Sequence, residues 1–152
     1  MLSVSPVWNC YVLVIELRDP CSVVVSGERV VLDSGVYLYI GSAMGAGGAL
    51  SRIARHLSVE KKIWWHIDRL LACPSSTVRG VFLARAENCD CEVEVSRVFR
   101  EELGGIPGFG SSNKRQNYTH LYTCKEVVEC ASRVYNLLEN VKCIVDIVYA
   151  EN

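Results

Sequence analysis

The sequence predicts an α+β fold: a single domain over residues 1–152, with a mostly antiparallel central sheet flanked by helices. Three observations lead there. Short, β-branched apolar runs recur along the chain, which is strand composition. Helical stretches are mixed with these strands without strict alternation, unlike a parallel α/β chain. The 152 residues have room for one substantial core, and no internal repeat, low-complexity tract or linker divides them.

The elements follow in order. Tyr11-Val-Leu-Val-Ile-Glu-Leu17 is apolar, β-branched and short, so it reads as a buried strand ended by Asp19-Pro20. Ser22–Val25 and Arg29–Leu32 flank Ser26-Gly27-Glu28, where Gly27 supplies the positive φ of a tight hairpin turn. Asp33-Ser34-Gly35 makes another turn, and Val36–Ile40 is the next strand. Residues 41–48 hold Gly41, Gly45, Gly47 and Gly48, a loop in which the backbone bends sharply or is closely approached. Ala49–Leu57 has helical spacing, with Leu50, Ile53, Ala54 and Leu57 on one side. Ile63–Leu71 is a second helix with Pro74 beyond its end, and Val78–Ala84 is a strand. Asp90 starts a helix running to Leu103, with an acid in its first turn, and Gly104-Gly105 stops it. Residues 108–112 are a loop, Thr119–Thr123 a short strand, Lys125–Val141 an amphipathic helix and Cys143–Tyr149 a closing strand. The apolar stripe on the last helix suits the core or a dimer face.

Composition narrows the function classes. Half the chain is hydrophobic and 22% is charged, which argues against disorder. Sixteen basic and seventeen acidic residues give a net charge of −1, so a strongly basic coat for nucleic acid is excluded, although a local patch is not. No apolar run approaches membrane-spanning length, and the first ten residues carry no Lys or Arg ahead of an apolar segment. The expectation is a cytoplasmic protein with no membrane partner. The eight cysteines, at 10, 21, 73, 89, 91, 124, 130 and 143, are then expected as free, mostly buried thiols. The rival reading is internal disulfides, as in the cytosol of hyperthermophiles.

Charge is unevenly spread. Residues 50–70 hold Arg52, Arg55, Lys61, Lys62 and Arg69 against Glu60 and Asp68, with His56 and His66 in the same stretch. This is first read as a solvated face, but a basic cluster beside a glycine loop also suits a phosphate-bearing substrate. Tyr37 and Tyr39, two apart on a strand, share one face. Arg52 and His56, four apart on the following helix, share another. A strand, a glycine loop and a helix can thus set phenols, a guanidinium and an imidazole around one cavity. The alternative is two sheet-packing tyrosines and a surface arginine. Cys89, Cys91 and His120 suggest zinc ligands, but a fourth is missing and the spacing is too short. His66 and Asp68 are two apart and do not face each other on a helix. There, Trp65 and Ile67 are expected to fill the core while His66 caps or bonds backbone.

At this point the chain resembles the GIY-YIG nuclease superfamily. Tyr39-Ile40-Gly41-Ser42-Ala43 followed by Leu50-Ser-Arg52-Ile-Ala-Arg55-His56-Leu57 looks like the second half of its signature. A narrower resemblance is to a family of small proteins within it, long known only as a domain of unknown function and sometimes attached to DNA-repair glycosylases. It rests on Gly35–Ala43, Arg55-His-Leu57, Lys61-Lys62 with Trp65-His66-Ile67-Asp68, Cys89-Asp-Cys-Glu92, Gly108-Phe-Gly-Ser-Ser112 and Thr119-His-Leu-Tyr122, in the family's order over about residues 9–123. Residues 124–150 add the C-terminal helix and strand.

The resemblance implies metal-dependent hydrolysis of a phosphodiester in nucleic acid, with DNA the expected partner, RNA left open, and DNA repair or processing the setting it points to. Tyr11, Tyr39, Arg52 and His56 would be catalytic, and Glu92 would hold Mg²⁺ or Mn²⁺, with Glu94 as its alternative. Gly41, Ser42, Arg55, Lys61, Lys62, His66, Lys114 and Arg115 would contact substrate. Tyr11 or Tyr39 would position or deprotonate water, and Arg52 would neutralise the developing charge. A homodimer or a repair-protein partner is also open. Three departures stand out. The first motif reads Asn9-Cys10-Tyr11, so only its tyrosine remains. The interval from Tyr11 to Tyr39 is long for the superfamily. Asn113-Lys-Arg-Gln-Asn117 stands where relatives commonly carry two cysteines, so any role of those is lost here. The degraded first motif motivates a second hypothesis, a non-catalytic nucleic-acid-binding or accessory module on the same fold.

Overall fold

A computed structural model of the chain describes residues 8–25, 27–43, 48–58, 66–109 and 119–152. Its first strand, β1 (Cys10–Leu17), is buried on both faces except at Glu16, which is why it reads as a continuous apolar run and not as an alternation. The hairpin β2 (Cys21–Val25) and β3 (Glu28–Leu32) follows, with Gly27 at φ +80° in its turn. Next come β4 (Gly35–Ser42), α1 (Gly48–Leu57), α2 (His66–Leu71), β5 (Ser76–Ala86) and α3 (Cys91–Glu102). The chain closes with β6 (Gly104–Gly105), β7 (Leu121–Cys124), α4 (Val127–Glu139) and β8 (Ile144–Glu151).

Six strands form one sheet in the order β6-β7-β4-β1-β5-β8, and every pairing described is antiparallel. The α+β expectation holds. The sheet separates two cores. Val12 and Val14 of β1 join Leu38, Ile40 and Phe82 against Val95 and Phe99 of α3 and Val134, Leu137 and Leu138 of α4. Tyr11, Leu13, Ile15 and Leu17 point the other way, toward Ala49 and Ile53 of α1, Ile67 and Leu70 of α2, and Val23, Val25 and Leu32 of the hairpin. The stripe on α4 is therefore core. Asp90 caps α3 as its position promised, its side chain accepting from the Val93 N–H.

Four expectations need correction. First, α1 turns a different face inward. Ala49, Ile53 and His56 are buried, whereas Leu50 and Leu57 are 56% and 44% exposed and Ala54 also faces out. An apolar stripe identified the helix but not its inner side, because a polar cluster occupies that side. Second, Gly104-Gly105 does more than stop α3: it pairs with Thr123 and Tyr122 of β7 as an edge strand. Third, α4 is shorter than 125–141, with Glu126 and Asn140 as its end residues. Fourth, the thiols are not free. All eight cysteines are paired, as Cys10–Cys91, Cys21–Cys73, Cys89–Cys143 and Cys124–Cys130. The rival reading, internal disulfides, is the one observed, and it removes Cys89 and Cys91 as zinc ligands. Among the described residues no helix is long and apolar enough to cross a membrane.

The pairing is open to a direct check. Unfolded in denaturant without reductant, the protein should show no thiol to a thiol-specific reagent, and all eight after reduction. Eight thiols before reduction would contradict the four links.

Candidate active site

The site begins with a strand register. β1 and β4 pair so that Tyr11 lies opposite Gly41. A Cβ built on Gly41 would overlap the Tyr11 ring, so glycine is required there by the phenol crossing it. The ring continues toward α1, where Tyr11 Oη lies 2.9 Å from His56 Nε2. Tyr39, on the same face of β4, meets the His56 ring edge-on at 6.3 Å between centroids. Arg52, one turn before His56, lies close enough to the Tyr11 phenol to lower its pKa against the effect of burial. Tyr11 Oη and His56 Nε2 share a hydrogen bond whose direction follows the imidazole tautomer.

Both phenols are held neutral. Burial pushes the Tyr11 pKa up, against the lowering influence of Arg52, and Glu92 and Asp68 add to the rise. Tyr39 is raised well above the usual value, again chiefly by burial. At neutral pH each is a hydroxyl rather than a phenolate.

Glu92 arrives from the other side of the sheet. It is the second residue of α3, and its carboxylate meets Ser42, the last residue of β4. The Ser42 hydroxyl donates to its Oε1, and His120 Nδ1 lies 3.0 Å from its Oε2. The Cys10–Cys91 disulfide joins the residues just before Tyr11 and Glu92, and Cys91 Sγ sits 3.9 Å from the Gly41 carbonyl oxygen.

The remaining predicted residues divide. Arg55 forms a two-point ion pair with Asp68, Nη1 to Oδ1 at 2.9 Å and Nη2 to Oδ2 at 3.0 Å, and Asp68 is fully buried. His66 meets Phe109 edge-on at 5.7 Å, with its pKa lowered by partial burial and then by Arg69. Phe109 in turn meets Tyr39. Gly41 and Ser42 stand inside the cluster as spacer and carboxylate partner. Lys61, Lys62, Trp65, Lys114 and Arg115 lie outside the described residues. The chain thus gathers Tyr11, Tyr39, Arg52, His56, Gly41, Ser42 and Glu92 in one place. Asp68, Phe109 and the His120 contact to Glu92 were not foreseen as parts of it. Asp68 is separated from Arg55 by a stretch with no pairing signal, and His120 carried only the zinc idea.

The first motif's departures have structural tasks. Asn9 clamps the end of β5 with both amide ends, donating to Ala86 O and accepting from Ala86 N, each at 2.8 Å. Cys10 carries the disulfide. Tyr37, the second tyrosine of the predicted pair, spends its hydroxyl on the Asp33 carbonyl at 2.6 Å and is a sheet-packing residue.

Fold and site together define an α+β domain with a largely buried cluster of phenols, guanidinium, imidazole and carboxylate at one end of an antiparallel sheet. The chain belongs to the family described as domain of unknown function DUF123, whose model matches residues 10–143. That span includes every residue of the cluster. Neither a curated protein nor a solved structure matches the chain.

The glycine argument generates a cycle. Gly41→Ala should lower stability by about 1–3 kcal/mol, the usual cost of overpacking. In a Tyr11→Ala background the same change should cost far less, because the ring is gone. Equal costs in both backgrounds, read from denaturant melts, would show that Gly41 does not make room for Tyr11.

Proposed function

We propose that the chain is a metal-dependent phosphodiester hydrolase of the GIY-YIG nuclease type, acting on nucleic acid, with DNA as its substrate in repair or processing. The observation that carries this reading is the meeting of Glu92 with Arg52, Tyr11, Tyr39 and His56 from separate elements of the chain.

The donor chemistry suits a hard divalent cation. Glu92 offers one carboxylate and Ser42 an adjacent hydroxyl oxygen, and Mg²⁺ is commonly held by one or two carboxylates while keeping several waters and substrate oxygens. Mg²⁺ or Mn²⁺ bound there supplies Lewis-acid polarisation of the phosphate and its leaving oxygen. The rest is the work of side chains. Arg52 matches phosphate geometry and neutralises charge that develops on it. Arg55 is committed to Asp68, so phosphate contact falls to Arg52. A neutral Tyr11 orients the attacking water, and its hydroxyl proton passes to His56 Nε2 as it takes one from water. That relay is more consistent with a raised phenol pKa than a standing phenolate would be. Tyr39 and Phe109 pack edge-on beside this cluster.

The test is cleavage of a panel of branched, damaged and single-stranded substrates with Mg²⁺ or Mn²⁺. Arg52→Ala should lower the rate by at least about 10²–10³-fold, as loss of one charge-stabilising donor does, while leaving the melting temperature near that of the parent. Glu92→Ala should abolish the metal-dependent part. Salt-sensitive binding of the panel with no cleavage by the parent protein would instead favour the non-catalytic binding module.

A further inference from the structure

We propose that His120 is a positioning residue that aims the Glu92 carboxylate at a divalent cation; this rests on the metal-dependent reading of the site. His120 is 1% exposed, and its Nδ1 lies 3.0 Å from Glu92 Oε2. The imidazole edge thus lies against the Oε2 side of the carboxylate. With Ser42 donating to Oε1 and the imidazole against Oε2, both carboxylate oxygens are contacted from fixed positions. Neither contact exhausts the oxygens, since a carboxylate has about four lone-pair sites. The Glu92 side chain keeps 16% exposure through which a cation can approach.

The backbone around His120 is pinned from several directions. Ile40 N donates to His120 O at 2.9 Å, and His120 N donates to Phe109 O at 2.8 Å. α3 is tied to the same short segment one turn beyond Glu92. Ser96 Oγ donates to Thr119 O, and Tyr122 Oη donates to Ser96 O, each at 3.2 Å. The imidazole and the helix bearing Glu92 are therefore fixed relative to each other before any ligand arrives. A group beyond the direct ligands that orients them in this way commonly sets metal affinity by about 10–100-fold.

The test is Mn²⁺ titration of the full chain by calorimetry, independent of any cleavage. His120→Ala should bind Mn²⁺ about 10–100-fold more weakly than the parent. His120→Asn places an amide N–H near the Nδ1 position and should restore most of the affinity. His120→Gln places it farther out and should not. Melting curves accompany each variant, and the Asn–Gln contrast separates aim from folding, since both are buried amides. Parent-like Mn²⁺ binding by His120→Ala, or equal loss in the Asn and Gln variants, would overturn the positioning role while leaving the hydrolase reading in place. A parent protein that binds no Mn²⁺ at all would overturn both.

Discussion

One covalent link sets the geometry of the pocket. Cys10 and Cys91 are bonded across a sequence separation of 81, and the residues that follow them are Tyr11 and Glu92. Tyr11 belongs to the core face of the sheet that α1 and α2 cover, whereas α3 packs on the opposite face. Without a fixed meeting point at the end of β4, a helix from one layer has no reason to deliver its carboxylate to a phenol in the other. In the chain-entropy picture, closing a loop of that size contributes about 4 kcal/mol of stability. The functional consequence is register: phenol and carboxylate each sit one residue from the same bridge. Cys89–Cys143 secures the other approach to α3.

The pocket is a compromise between burial and charge. Tyr11, Tyr39 and His56 are nearly inaccessible, and two carboxylates press on the phenols. Asp68 is answered by Arg55 at two points, which is what makes a fully buried carboxylate tolerable. Glu92 is shared between Ser42 and His120. Arg52 lies beside the phenol and opposes the rise in its pKa. The interior is thus wired so that each charge has a directional partner, a requirement for placing polar groups in low dielectric. The same burial and nearby carboxylates favour hydroxyl over phenolate at Tyr11.

Much of the fold was legible because local signals agree with tertiary demands. β1 announced itself by an apolar run, Gly27 by its turn and Asp90 by its cap. The shared face of Tyr37 and Tyr39 followed from the strand period, and the common face of Arg52 and His56 on α1 from the helical one. What periodicity could not give was which side of α1 faces in. There the inner face carries Arg52 and His56 beside Ala49 and Ile53, so a hydrophobicity rule chose Leu50 and Leu57 instead. The cysteine pairing was also beyond reach, since eight thiols allow many connectivities. The contacts of Arg55 with Asp68 and of Glu92 with His120 depend on long-range packing for which the chain carries no local mark. Resemblance named Tyr11, Tyr39, Arg52, His56 and Glu92 together, and the disulfide explains how Glu92 comes to be among them.

The hydrolase reading is exposed most directly by diffraction from crystals soaked in Mn²⁺, measured at the manganese edge. The expected result is an anomalous peak within coordination distance of a Glu92 oxygen, on the side of the pocket lined by Arg52 and the hydroxyls of Tyr11 and Tyr39. A peak only at surface carboxylates elsewhere, with Glu92 still wholly engaged by Ser42 and His120, would contradict it.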